Sequence, residues 1–139
     1  MTVDIVKAIF EVAKTLFGLK SEMEKGNREK RDRVSNYFSD LAKLIEEVSA
    51  SLKLKKYPHG SCAQLETLAK LMPDTLKGLL KEDEINSNTA KLLEVYKIEQ
   101  LFGEIHNLKP DKISKKLEEL DKAAGYFRAL AAHLKVVNE

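Results

Sequence analysis

His59 and Cys62 stand three residues apart, the spacing in this sequence that comes nearest to a nucleophilic site. A thiol just inside a helix N-terminus loses its proton more readily, and a neighbouring imidazole can assist it. The same stretch, Tyr57-Pro58-His59-Gly60-Ser61-Cys62, also reads as plain architecture. Pro58 stiffens the approach, Gly60 lets the chain turn, and Ser61 with Gln64 forms the S-x-x-Q pattern of a capping box. Cys62 then packs as a small apolar residue. No third catalytic group is evident, and the chain lacks G-x-S-x-G, a P-loop and G-x-G-x-x-G. The architectural reading is adopted, so no catalytic residue is assigned and no enzyme is expected.

Metal chemistry fares no better. His59, His106 and His133 share no i, i+4 spacing, and Glu104 precedes His106 by two residues rather than the three of a di-iron bundle. Neither a metal nor a cofactor is expected. Among charged residues, Arg28, Arg31 and Arg33 cluster in Arg28-Glu29-Lys30-Arg31-Asp32-Arg33, and Lys53, Lys55 and Lys56 form a second group. Either could meet phosphate or anionic lipid. No aromatic is interleaved to stack a base, and solvated helix faces are the simpler reading. The 24 bases nearly cancel the 22 acids, leaving a net charge of +2, which argues against a nucleic-acid partner.

The elements that position these residues follow from apolar spacing. The first helix is drawn over about Thr2 to Leu19, with Thr2 as its cap and Asp4 in its first turn. Gly26-Asn27 marks the break after it. A second helix spans about Arg28 to Leu54, with Val34, Phe38, Leu41, Ile45, Val48 and Leu52 forming a heptad seam. A third begins at Ser61 and meets Pro73, which kinks it or starts a new helix. A fourth covers about Glu84 to Asn107, although Asn86-Ser87-Asn88-Thr89 is a poor helix former and moves its start toward Thr89. Its seam is Leu92, Val95, Ile98, Phe102 and Ile105, and Gly103 would permit close helix contact. A fifth covers about Pro110 to Val137, with Ile113, Leu117, Leu120, Ala124, Phe127, Ala131 and Leu134 as its seam.

The long helices and short connections predict an all-α, up-and-down antiparallel bundle of four to five helices over residues 1–139. Six glycines and three prolines with 43% hydrophobic residues suit such a fold and argue against disorder. One cysteine precludes an internal disulfide, and no signal peptide is recognisable, so a cytoplasmic setting is expected.

The first helix carries two seams at once. Val3, Val6, Phe10, Ala13 and Phe17 form one; Ile5, Ile9, Val12, Leu16 and Leu19 form the other. So wide an apolar arc implies a helix lodged between two others. The alternative is a helix that leaves the bundle for a membrane or a partner, with Phe10 and Phe17 as anchors. Asp4, Lys7, Glu11 and Lys14 rule out an ordinary membrane-spanning segment. Tyr126 lies beside the fifth seam and can reach the surface, after the small residues Ala123-Ala124-Gly125.

Three stretches, Arg31-Asp32-Arg33-Val34-Ser35-Asn36-Tyr37-Phe38, Tyr57-Pro58-His59-Gly60-Ser61-Cys62-Ala63 and Ala123-Ala124-Gly125-Tyr126-Phe127-Arg128-Ala129, resemble small helical-bundle domains of bacteria, of the cyanobacterial type, associated with effector or conflict-system proteins. That resemblance implies an adaptor that docks an effector or self-associates, and it carries over no active-site residues. A looser architectural likeness links the apolar first helix to membrane-permeabilising cell-death bundles, which makes a membrane-active bundle the alternative. Phe10, Phe17, Arg28, Arg31, Arg33, Tyr57, His59 and Tyr126 are the interaction candidates.

Overall fold

The structure, a computed structural model, describes residues 4–136, and all helices among them pack on one another with no named strand. Helix α1 is Ile5–Gly18, followed by the short α2, Lys20–Met23. Helix α3 is Arg28–Lys53, α4 is His59–Leu76 and α5 is Glu82–Leu93. A 3-10 turn, Glu94–Lys97, leads into α6, Ile98–Ile105, and α7 is Pro110–Val136.

Local chemistry sets most of these ends. Asp4, not Thr2, caps α1: its carboxylate accepts from the backbone N–H groups of Val6 and Lys7 at 3.0 and 3.4 Å. Thr2, Val3 and Val137 lie outside the described residues. Asn27 caps α3 by accepting from the Lys30 N–H at 2.8 Å. Ser61 is no cap, because α4 begins two residues earlier and the Ser61 hydroxyl instead donates to Glu47 Oε2 at 3.1 Å. Pro73 does not split α4. Met72 and Leu76 on either side of it are fully buried, and that packing holds the helix through the proline. The Asn86–Thr89 run is helical. The Asn88 amide donates to the Glu84 carbonyl at 2.8 Å, and Glu82, Asp83 and Glu84 favour the helix N-terminus.

The helices alternate in direction along the chain and close into a ring in the order α1, α7, α3, α4, α5 and back to α1. Cross-links give the directions. Ser35 meets Ala131 and Lys53 meets Asp121, so α3 and α7 are antiparallel. Tyr37 meets Leu68 and Glu47 meets Ser61, so α3 and α4 are antiparallel. Asp4 meets Lys116 at 3.1 Å while Phe17 meets Tyr126, so α1 and α7 run parallel. A closed ring of five elements cannot alternate throughout. The first and last helices are the pair that absorbs this parity.

The core is the sum of the seams. Val34, Phe38, Leu41, Ile45, Val48 and Leu52 of α3 are buried against Leu117, Leu120, Ala124, Phe127, Ala131 and Leu134 of α7 and their neighbours. Phe38 and Phe127 stack with centroids 5.7 Å apart. The wide arc of α1 is covered: Ile5, Val6, Ala8, Ile9, Val12, Ala13 and Leu16 are all buried between α5 and α7. Gly103 is exposed with open space where a side chain would sit, so it serves no close helix contact. The tight glycine is Gly26, in the turn before α3, where a Cβ would lie 3.0 Å from Leu79 Cδ2 in the turn after α4.

Candidate interaction surfaces

The His59–Cys62 stretch forms the start of α4 at one end of the bundle. Its rings build an aromatic string: His59 on Tyr57 at 4.4 Å, Tyr57 on Phe102 at 5.5 Å, and Phe102 on His106 at 5.3 Å. Cys62 is buried beneath it. Burial pushes the thiol pKa up, and a hydrogen bond with the Tyr57 hydroxyl only partly offsets this. That is the reverse of a helix-activated nucleophile, which needs a depressed pKa. Among the described residues no three His, Cys, Asp or Glu side chains gather as metal ligands.

Phe10, Phe17 and Tyr126 come together on the parallel α1–α7 seam. Both phenyl rings contact Tyr126, at 5.9 and 5.5 Å. Lys14 lies 5.4 Å over Phe10 and Lys20 lies 4.1 Å over Phe17. Each such cation–π contact contributes about 0.5–1 kcal/mol at an exposed site. The rings are half-buried and already partnered, which makes this edge a seal over the α1–α7 seam.

The three arginines diverge. Arg31 closes the turn before α3, its guanidinium donating to the carbonyls of Glu24 and Gly26. Arg28 is exposed, and Arg33 is exposed at the rim of a groove. They sit at the opposite end of α3 from Tyr57 and His59, so the interaction candidates form no single surface.

That groove runs between α3 and α4. One part, about 360 Å³, is lined by Lys30, Arg33, Asn36, Tyr37 and Asp40 of α3 with Leu71, Asp74 and Thr75 of α4. The other, about 620 Å³, is lined by Asp40, Lys43, Leu44 and Glu47 with Ala63, Gln64, Thr67 and Leu68. Asp40 belongs to both, so the two parts adjoin. Tyr37 pins the floor by donating from its hydroxyl to the Leu68 carbonyl. Leu68 is half-buried, and Leu71 is 46% exposed.

Sequence reasoning passed over this groove. Tyr37 and Leu44 form a second apolar row beside the α3 seam, seven residues apart, and that row was the available signal. No protein-family profile matches the chain, and no curated protein or solved structure matches it. Among the described residues no helix is long and apolar enough to cross a membrane.

Proposed function

We propose that the protein is a non-enzymatic interaction bundle that receives an amphipathic helix of a partner protein in the α3–α4 groove. The observation that carries this reading is the uncovered strip of Leu68 and Leu71 on the floor of a continuous channel. From Lys30 to Glu47 the groove follows α3 for ~26 Å at 1.5 Å per residue. That length suits a helix of four to five turns, a common peptide-recognition mode. Apolar anchors at i, i+3, i+4 and i+7 would meet Leu44, Leu68 and Leu71. Charged flanks would meet Asp40, Lys43 and Glu47 on one rim and Asp74 on the other. An adaptor of this kind agrees with the effector-associated bacterial domains that the sequence resembles.

The reading of α1 as a membrane effector has less support, because α1 reaches a bilayer only by leaving both α5 and α7.

A photo-crosslinking side chain at Thr67, in the groove, tests the proposal against the same group at the exposed Glu118 on α7. Expression in the source cell should give a discrete crosslinked species from Thr67 alone, and Leu71→Glu should abolish it at unchanged Tm. Equal crosslinking from both positions, or indifference to Leu71→Glu, would sink the groove. Light scattering tells whether the occupant is a second copy of the chain.

A further inference from the structure

We infer that the end of the bundle formed by the α3–α4 and α6–α7 connections docks on an anionic lipid bilayer. The two connections lie together. Tyr57, in the first, packs on Phe102, which packs on His106 at the start of the second. Lys53, at the last turn of α3, reaches Asp121 of α7 at 3.2 Å.

The crest of the first connection is Leu54, 69% exposed and flanked by Lys53, Lys55 and Lys56. The second connection adds His106, Lys109 and, in the first turn of α7, Lys112. Lys55, Lys56, Lys109 and Lys112 make no ion pair among the described residues. The acids at this end are Asp111 at the start of α7, Glu99 and Glu104 on the flank of α6, and Asp121 and Asp4, which are paired with Lys53 and Lys116. An exposed leucine flanked by the unpaired Lys55 and Lys56, with Lys109 and Lys112 on the neighbouring connection, matches the chemistry of an anionic interface: the lysines meet headgroup phosphates and the leucine enters the acyl boundary.

The backbone supplies an independent argument. Lys55 holds φ at +57°, the left-handed conformation that terminates α3. Its N–H donates to the Leu52 carbonyl at 3.0 Å and the Lys56 N–H donates to the Ser51 carbonyl at 2.9 Å. This is a Schellman closure, whose left-handed position usually holds glycine. A lysine there is strained, and residues held in strained backbone concentrate at functional sites. A nucleic acid offers the same phosphates but nothing for Leu54, and the four nearby rings pack tilted or edge-on against one another rather than standing free for bases.

Vesicle co-sedimentation decides the matter. The full chain is mixed with vesicles of phosphatidylglycerol and phosphatidylcholine, or of phosphatidylcholine alone. Binding is expected to the anionic vesicles only and to fall as salt rises. Lys55→Glu/Lys56→Glu should weaken it by at least about tenfold, and Leu54→Ser should weaken it without altering the salt dependence. Both variants change exposed side chains, and circular dichroism checks that each still folds. No binding to anionic vesicles, binding that ignores both variants, or retention on a polyanionic resin without vesicle binding overturns the proposal. Leu71→Glu, in the α3–α4 groove, should bind vesicles like the wild type; if it does not, the end surface is not the one engaged.

Discussion

The Tyr37 hydroxyl of α3 donates to the backbone carbonyl of Leu68 in α4, and this bond closes the floor of the groove between the two helices. Tyr37 is buried, so the phenol has little water to fall back on. Tyr37→Phe keeps the ring and deletes the bond. The expected cost is about 1 kcal/mol, the net value of a typical buried hydrogen bond. Urea denaturation measures it. An unchanged midpoint would show that the contact contributes nothing to stability.

The same burial gives a pH dependence with a definite sign. Desolvation raises the Tyr37 pKa above its ordinary 10.0. Above pH ~10 the unfolded chain releases this proton while the folded chain keeps it. The folded state then binds more protons, so stability falls as pH rises. The contribution is fully present below the unfolded pKa and is lost above it. Wild type should therefore lose stability between pH ~9.5 and 11 more steeply than Tyr37→Phe, by up to about 1.4 kcal/mol per pH unit. Parallel curves for the two proteins would count against a buried neutral phenol.

The seams were legible in the sequence because burial enforces the three-to-four residue period. Every seam residue of α3 is buried, as are those of α7 except the half-buried Ile113. The ends were less legible, because capping depends on which side chain turns inward. Thr2 and Asp4 are both capping residue types. Ser61 and Gln64 have capping-box spacing, yet Glu47, fourteen residues earlier in the chain, takes the Ser61 hydroxyl. Propensity misjudged Asn86–Thr89 because buried neighbours at Ile85 and Leu92 override it, and of the two outcomes left open at Pro73 the start of a new helix is excluded, with Met72 and Leu76 buried on either side. The parallel α1–α7 pair could not be read from connection lengths, since the two helices are joined only through the rest of the ring. The groove was invisible for a related reason. It is a space between α3 and α4, and one helix's pattern does not say how far its neighbour stands off.

Phe38 and Phe127 give the fold a central test. Their rings stack nearly parallel, 8° apart in plane, and both are fully buried between α3 and α7. Phe127→Ala should cost about 3–5 kcal/mol, the range for emptying a buried aromatic site. Phe10→Ala, at the half-buried edge, should cost clearly less, because its ring leaves no enclosed cavity. Thermal melts of the two variants would reveal an error in the seam assignment if the order were reversed.

Cys62 provides a chemical test of the reading that the His59–Cys62 stretch is architecture. Burial holds its thiol pKa above the ordinary 9.0, so alkylation should be slow at neutral pH and should rise only at alkaline pH. The midpoint should rise further in Tyr57→Phe, because the lost hydrogen bond had been lowering the pKa. Stopped-flow alkylation against pH follows both. Rapid reaction near pH 7 would instead indicate an activated thiolate and reopen nucleophilic chemistry at this end.

Lys55 ties stability to the lipid-facing end. Its left-handed backbone, φ +57°, costs an L-residue roughly 1–2 kcal/mol, and glycine adopts it freely. Glycine also gives back part of that gain by widening the unfolded ensemble. The net expectation for Lys55→Gly is a gain of about 0.5–1 kcal/mol in folding stability. The same substitution removes one of the lysines beside Leu54, so anionic vesicle binding should weaken while the protein becomes more stable. Opposite signs from one residue separate a functional side chain from a merely tolerated one. If Lys55→Gly bound vesicles as tightly as the wild type, the lysine would be incidental to the membrane; if it also failed to stabilise, the strained closure of α3 would itself be misassigned.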